Sequence, residues 1–285
     1  QEKVLQDTAS FIWVDNQKEF ITPKAGRYLI KNGMSNNELV NLLRSGKQEP
    51  VKVTFNSIRT YNDLAGNIGG QIEVDSSELM KAFTSSALAK KYGFNAQTFL
   101  TLFIPNTYEL YWNTSAEQFI KRMASEYKRF WTAEKIAKAK KLNLSQSEVA
   151  ILASIVQAEQ MGHPDERPKV AGLYINRLRK GMRLQSDPTL IYALGDFSIK
   201  RVLNEHKLLD SEYNTYTHTG LPPGPINLPE VTSINAVLNY EEHNYLYMCA
   251  KADFSGYHNF ARTLTQHNVY ANEYRRELNR RRIMR

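Results

Sequence analysis

The sequence predicts an α+β fold: a small strand–helix–strand module, then a mixed and helix-rich second half. Three observations lead there. Val51-Lys52-Val53-Thr54-Phe55 alternates apolar and polar residues, as a half-buried strand does. Ahead of it, Ser35-Asn36-Asn37-Glu38 carries the hydroxyl and carboxylate that reciprocally satisfy free N–H groups at a helix start. Leu39, Leu42 and Leu43 follow, with a stop at Gly46. From about Leu144 onward, helix signals give way to segments dense in Gly, Pro, Asn and Tyr, and long loops inside a compact domain usually carry function.

The module's first strand is expected within the opening residues, where Phe11-Ile12-Trp13-Val14 and Arg27-Tyr28-Leu29-Ile30 are short mixed segments. Further capping boxes stand at Asp75-Ser76-Ser77-Glu78 and Thr114-Ser115-Ala116-Glu117. The second should open a long helical stretch through Phe119, Met123, Tyr127 and Trp131 towards Lys141. Its lysine- and alanine-rich end, from Glu134, reads as a solvated helix face. Two helices are expected over residues 147–160 and 166–180.

The 285 residues are 42% apolar and 11% aromatic, enough for a sizeable core. The formal charge of +8 favours polyanionic surroundings, and nucleic acid, anionic lipid and anionic wall polymers all qualify. A nucleic-acid binder needs a basic stripe interleaved with stacking aromatics or a known motif, and neither is present. Arg275-Arg276 and Arg280-Arg281-Arg282 read as a solvated helix face. No segment approaches the roughly 20 apolar residues of a membrane span, and no signal peptide is visible. Because the first residue is Gln1, the chain reads as trimmed ahead of it. The lone Cys249, in the apolar run Tyr245–Ala250, reads as a strand-borne core thiol in preference to a nucleophile.

The residue that draws attention is Glu159. Ser145-Gln146-Ser147-Glu148 sets the phase of the helix behind it. At about 100° per residue, Val149, Leu152, Ile155 and Val156 fall on one apolar face, with Glu159 near its middle and Gln157 turned away. A carboxylate on an apolar stripe is costly, because desolvation disfavours its charge and raises its pKa towards the range a general acid needs. The pattern alone leaves a second reading open: the stripe ends one turn early and Glu159 is a solvated C-terminal residue.

The segments that follow resemble the endolytic murein transglycosylases, also called the MltG or YceG-like family. Leu152–Glu159 and Glu166-Arg167-Pro168-Lys169-Val170-Ala171 carry the resemblance, as do Asn176-Arg177-Leu178, Gly181–Thr189, Ile191-Tyr192 and Gly195. It resumes at Tyr213-Asn214-Thr215-Tyr216 and Gly220–Ile226, and ends with His258, Phe260, His267 and Asn268. Where the family commonly has Ile-Val-Glu-x-Glu, this chain has Gln157 and then Glu159. An amide cannot be an essential acid, so the catalytic position falls on Glu159.

The resemblance implies a LysM-like module at about 25–56 within residues 1–60, a mostly helical linking region over 61–143, and a YceG-like catalytic domain over 144–285. It implies a lyase that cuts the bond from N-acetylmuramic acid to N-acetylglucosamine inside peptidoglycan strands and leaves 1,6-anhydro ends. Glu159 would act as acid and base, with neither metal nor organic cofactor. Gln185, Ser186, Asp187, Asn214, Thr215 and Tyr216 would supply polar contacts to sugar, Tyr192 a ring for packing, and Gly220, Pro222 and Pro223 a stiff groove wall. It further implies an N-terminal membrane anchor ahead of Gln1, a catalytic domain on the outer side of the cell membrane, and association with wall synthases.

Alternatives stay open at this point. Asp187 could be a helix cap, or a second carboxylate that would make the enzyme a water-using muramidase. Glu166, just before Pro168, is expected to cap a helix and complement its dipole. His258 and His267 lack a tight metal-ligand spacing and read as structural or groove-edge hydrogen-bonding residues. A wall-binding protein without catalysis is the remaining rival.

Overall fold

The structure, a computed structural model, describes residues 5, 7–18, 22–199 and 202–281. The chain forms two compact units.

The first unit comprises Gln1–Phe55, Asn62–Ala82 and Asn106–Ile120. It contains helices α1 (Thr8–Gln17) and α2 (Asn36–Ser45), strand β1 (Val51–Phe55), most of α3 (Tyr61–Gly69) and α4 (Ser76–Phe83), strand β2 (Asn106–Leu110) and the first turn of helix α6 (Ala116–Phe130). Helix α2 starts as expected. Ser35 and Glu38 form a complete capping box, and Gly46 ends the helix with φ of 67°, a left-handed conformation that costs glycine little. Strand β1 pairs antiparallel with β2, Val53 opposite Tyr108. Phe55 stacks on Tyr108 at 5.6 Å and meets Phe119 edge-on at 6.2 Å, and all three are buried.

Both strands expected in the opening residues are absent. Phe11–Val14 lies in α1, because the Asp7 carboxylate accepts from the Ala9 and Ser10 N–H groups and so nucleates a helix. Arg27–Ile30 joins no ladder, and Leu29 and Ile30 are exposed. The partner of β1 therefore comes from β2, a strand the sequence reading did not name. Asp75 accepts from the Glu78 N–H ahead of α4. The box before α6 is displaced by one residue: Ser115 and Gln118 satisfy each other's N–H groups, while Thr114 donates to the Tyr111 carbonyl.

The second unit holds Asn56–Tyr61, Phe83–Pro105 and Lys121–Arg285. After α5 (Ser86–Lys91) and the rest of α6 come α7 (Ala133–Lys141), α8 (Gln146–Glu159), α9 (Arg167–Arg179), α10 (Asp187–Leu194), α11 (Val231–Leu238), the hairpin β3 (Tyr247–Ala250) and β4 (His258–Ala261), and α12 (Leu264–Arg280). The long helix expected up to Lys141 is two helices, because Thr132 caps Lys135 and restarts the chain as α7 behind the buried Trp131. Arg280 and Arg281 are exposed as expected, and Arg282 lies outside the described residues.

Helix α8 is the axis of this unit. Its capping box is complete, and every residue from Val149 to Val156 is buried, against α7, α9, α10 and α11. The helix therefore has no single apolar face in its middle; it is apolar all round, as a central helix must be. Even Gln157 is engaged, accepting from the Glu230 N–H at 2.7 Å and the Ser233 hydroxyl at 2.9 Å. Among the described residues, no helix is long and apolar enough to cross a membrane.

Candidate active site

Glu159 ends α8, and its half-buried carboxyl lines a cleft of about 280 Å³. Tyr174 and Arg177 of α9, Gln185, Asp187 at the start of α10, Tyr216, Met248 and Cys249 of β3, and His258 of β4 also line it. The solvated reading of Glu159 is thereby set aside. Its Oε1 accepts from the Tyr174 phenol at 2.7 Å and from the Ser186 hydroxyl at 2.5 Å. Among the described residues none bonds Oε2, so one oxygen is held in place and the other is left for a ligand.

Burial pushes the Glu159 carboxyl above the usual carboxylate range. The bonds from Ser186 and Tyr174 favour the charged form without cancelling that effect; the Asp187 charge adds to the rise and His258 opposes it. Burial, then the neighbouring Glu159, also raises the Tyr174 phenol well above its ordinary value, so Tyr174 is a donor. A carboxyl whose protonated form is favoured by burial, with one oxygen anchored, is suited to give up a proton in the cleft and take one back.

The residues singled out from sequence divide into four groups. Gln185, Asp187 and Tyr216 line the cleft, and Tyr216 donates to Asp187 at 2.5 Å. Gln185 holds a φ of 51°, its N–H bonded to the Thr215 carbonyl and its side-chain oxygen accepting from Arg177. Ser186, Asn214 and Thr215 are fully buried behind this wall. Thr215 holds the Ser186 N–H and the Thr189 hydroxyl, while Asn214 donates to the Lys207 and Leu209 carbonyls and accepts from the Tyr216 N–H. Tyr192 stands outside the cleft, its ring 4.9 Å from Tyr213. Gly220, Pro222 and Pro223 line a different cavity of about 540 Å³, with Leu144, Ile151, Ile175 and Leu178.

Glu166 stands at the N-cap position of α9 as expected, but its side chain makes no capping bond. It is buried and accepts from the His258 N–H at 2.9 Å, from His258 Nδ1 at 2.7 Å and from the Gln160 amide. Burial alone would raise its pKa, but these bonds outweigh burial and hold the carboxyl below its ordinary range. His267 is separate from this group and packs against the Tyr247 ring at 5.7 Å. Cys249 is half-buried on the cleft wall; burial, then Glu273, raises its thiol pKa, which disfavours a nucleophilic thiolate.

Sequence reasoning missed Tyr174. It reads as one more core residue of α9 beside the buried Leu173 and Ile175; only its place one helix away, opposite Glu159, gives it a task. Arg177 sits in the quoted Asn176-Arg177-Leu178 segment but received no role. It is buried and donates to the Leu246, Arg183 and Leu184 carbonyls, joining the residue ahead of β3 to the cleft loop.

The quoted segments come together in one unit, and comparison with known proteins decides the family. The model of the YceG-like family matches residues 1–273. The chain belongs to the YceG-like family. It is 38% identical over 162 residues to the endolytic murein transglycosylase of Bacillus subtilis, covering 57% of this chain and 44% of that protein. Against the endolytic murein transglycosylase of Streptococcus pneumoniae it is 29% identical over 276 residues, covering 84% of this chain and 49% of that protein. The chain thus spans less than half the length of these curated relatives. The crystal structure of a yceG-like protein from Listeria monocytogenes superposes with a TM-score of 0.67 at 27% identity, over 94% of this chain and 91% of that one. The helix-rich, mixed α/β architecture is the YceG-like fold.

Proposed function

We propose that this YceG-like chain is the catalytic part of an endolytic peptidoglycan lytic transglycosylase, with Glu159 as its acid–base group. The observation that carries the reading is the enclosed Glu159 carboxyl, anchored through Oε1 by Tyr174 and Ser186 in a polar cleft. The names of the two relatives above support the same chemistry.

Glu159 protonates the glycosidic oxygen between N-acetylmuramic acid and N-acetylglucosamine, and the C1–O bond breaks with oxocarbenium-like charge at C1. The resulting carboxylate is stabilised by the Tyr174 and Ser186 donors. It takes the proton of the muramic acid's own C6 hydroxyl as O6 bonds to C1, which leaves a 1,6-anhydro end and regenerates the acid. Because the nucleophile is tethered to the substrate, proximity stands in for the water and the second carboxylate of a hydrolase. Gln185, Asp187 and Tyr216 contact the sugars, and the buried Ser186, Asn214 and Thr215 hold that wall.

Mass spectrometry of peptidoglycan digested by wild type and by Glu159→Gln tests this reading. Anhydromuramic ends are expected from the wild type and none from the variant. Reducing muramic ends would replace the lyase with a muramidase using Asp187, and intact strands would leave a wall-binding protein.

The proposal extends to location and partners: attachment to the cell membrane through a segment ahead of Gln1, action on the outer side, association with wall synthases, and glycan contact by a LysM-like module at 25–56. Fractionation and cross-linking of the full-length protein in cells test the first three, and a glycan-binding assay comparing the chain with variants in 25–56 tests the last.

A further inference from the structure

The residue after Glu159 begins a second buried network that acid–base chemistry by Glu159 does not use. The Gln160 side chain is buried; its amide donates to Glu166 and to the Gly256 carbonyl at 3.0 Å, and its oxygen accepts from the His163 N–H at 3.0 Å. Glu166 in turn accepts from the N–H and Nδ1 of His258. The turn of the β3–β4 hairpin is clamped to the same segment by the His163 ring, stacked on Tyr257 at 3.9 Å and bonded to the Ser255 carbonyl at 2.9 Å. The Tyr257 hydroxyl reaches Asp165 at 3.1 Å. Four residues of the α8–α9 turn thus fix the position of one imidazole.

That imidazole lines the cleft with Glu159. A carboxylate can only accept, so Glu166 holds the proton of His258 on Nδ1 and leaves Nε2 as the ring's second polar atom. Among the described residues no protein atom bonds Nε2, and the side chain is 15% exposed. A buried carboxylate orienting an imidazole that lines a cleft is the arrangement that aims a histidine at a ligand.

We propose that His258 is a second substrate-contacting residue of this site, its Nε2 hydrogen-bonded to a hydroxyl or acetamido group of the amino sugar. Glu166 and Gln160 are positioning residues that act through it. This rests on the proposed function for the identity of the sugar, and on the geometry above for the contact.

The test uses two measurements on the whole chain. In the first, cutting of glycan strands is followed for wild type, His258→Ala and His258→Gln. Loss of one substrate hydrogen bond should lower kcat/KM about tenfold in His258→Ala, with part recovered in His258→Gln, whose amide reaches the Nε2 position. In the second, the imidazole nitrogens of His258 are observed by 15N NMR in Glu159→Gln while a GlcNAc–MurNAc oligosaccharide is added. The Nε2 resonance should move and Nδ1 should stay, which a merely structural histidine would not show. Wild-type kcat/KM in His258→Ala, or an Nε2 resonance unmoved at saturating sugar, overturns the proposal. A wild type that cuts nothing would instead overturn the proposed function, and the titration would still decide the His258 contact, since binding needs no turnover.

Discussion

The phenol of Tyr174 donates to Oε1 of Glu159 across 2.7 Å, joining α9 to the last turn of α8. Through this bond Tyr174 favours the carboxylate, so Tyr174→Phe should raise the Glu159 pKa further. The protonated acid then survives to higher pH, and the alkaline limb of the pH–rate profile moves upward. At the optimum, kcat should fall about tenfold, the worth of one hydrogen bond to a developing charge. An unmoved limb would show that the phenol does not sense the acid.

Glu159 also makes stability depend on pH. Its folded pKa lies above the unfolded one, so its contribution is fully present below the ordinary glutamate value and is lost as pH rises through the folded value. Glu159→Gln keeps an oxygen for Tyr174 and Ser186 but cannot ionise. The Tm of this variant should therefore overtake that of the wild type progressively as pH rises through the range above the ordinary glutamate value. A constant difference across that range would remove the raised pKa.

Arg167 holds the region behind the site. Its side chain is 3% exposed; it donates to Glu230 at 2.8 Å, to the Ser233 hydroxyl at 2.9 Å and to the Gln160 carbonyl at 2.9 Å, tying the end of α8 to the start of α11. Arg167→Ala leaves that carbonyl and the Ser233 hydroxyl without a donor, while Glu230 can be rehydrated at the surface. A loss of about 3 kcal/mol is expected in urea unfolding, towards the low end for a broken buried pair.

Gly172 lets α9 approach the loop that follows α11. A Cβ there would lie 2.3 Å from the Glu241 carbonyl oxygen and 2.8 Å from His243 Nε2. The first is backbone and cannot swing aside. Gly172→Ala should cost about 1–3 kcal/mol by overpacking, despite the better helix propensity of alanine. A stabilised variant would mean that the loop yields freely.

Much of this molecule was legible locally. Capping boxes at Ser35 and Ser145 mark helix starts because the bonds they make span three residues. The Val51–Phe55 alternation marks a strand for the same reason of short range. Glu159 could be singled out because an acid at the end of so apolar a helix needs an explanation. Phe11–Val14 misled because side-chain type outweighed the Asp7 cap beside it, and Arg27–Ile30 because a strand needs a partner that no local pattern supplies.

The sequence by itself marked where α8 begins, through the capping box at Ser145, and singled out Glu159 as an acid at the end of an apolar helix; the resemblance, and not periodicity, put the catalytic expectation on it. The tertiary structure alone decided what surrounds that group. Tyr174 meets Glu159 across 15 residues of chain and Ser186 across 27, while Glu166 meets His258 across 92. It also separated the buried Asn214 and Thr215 from the cleft-facing Asp187 and Tyr216, and sent Pro222 and Pro223 to another cavity. Such pairings arise when helices and a hairpin pack to bury apolar surface, and residues that share a composition then differ in burial, which periodicity within a single segment does not encode.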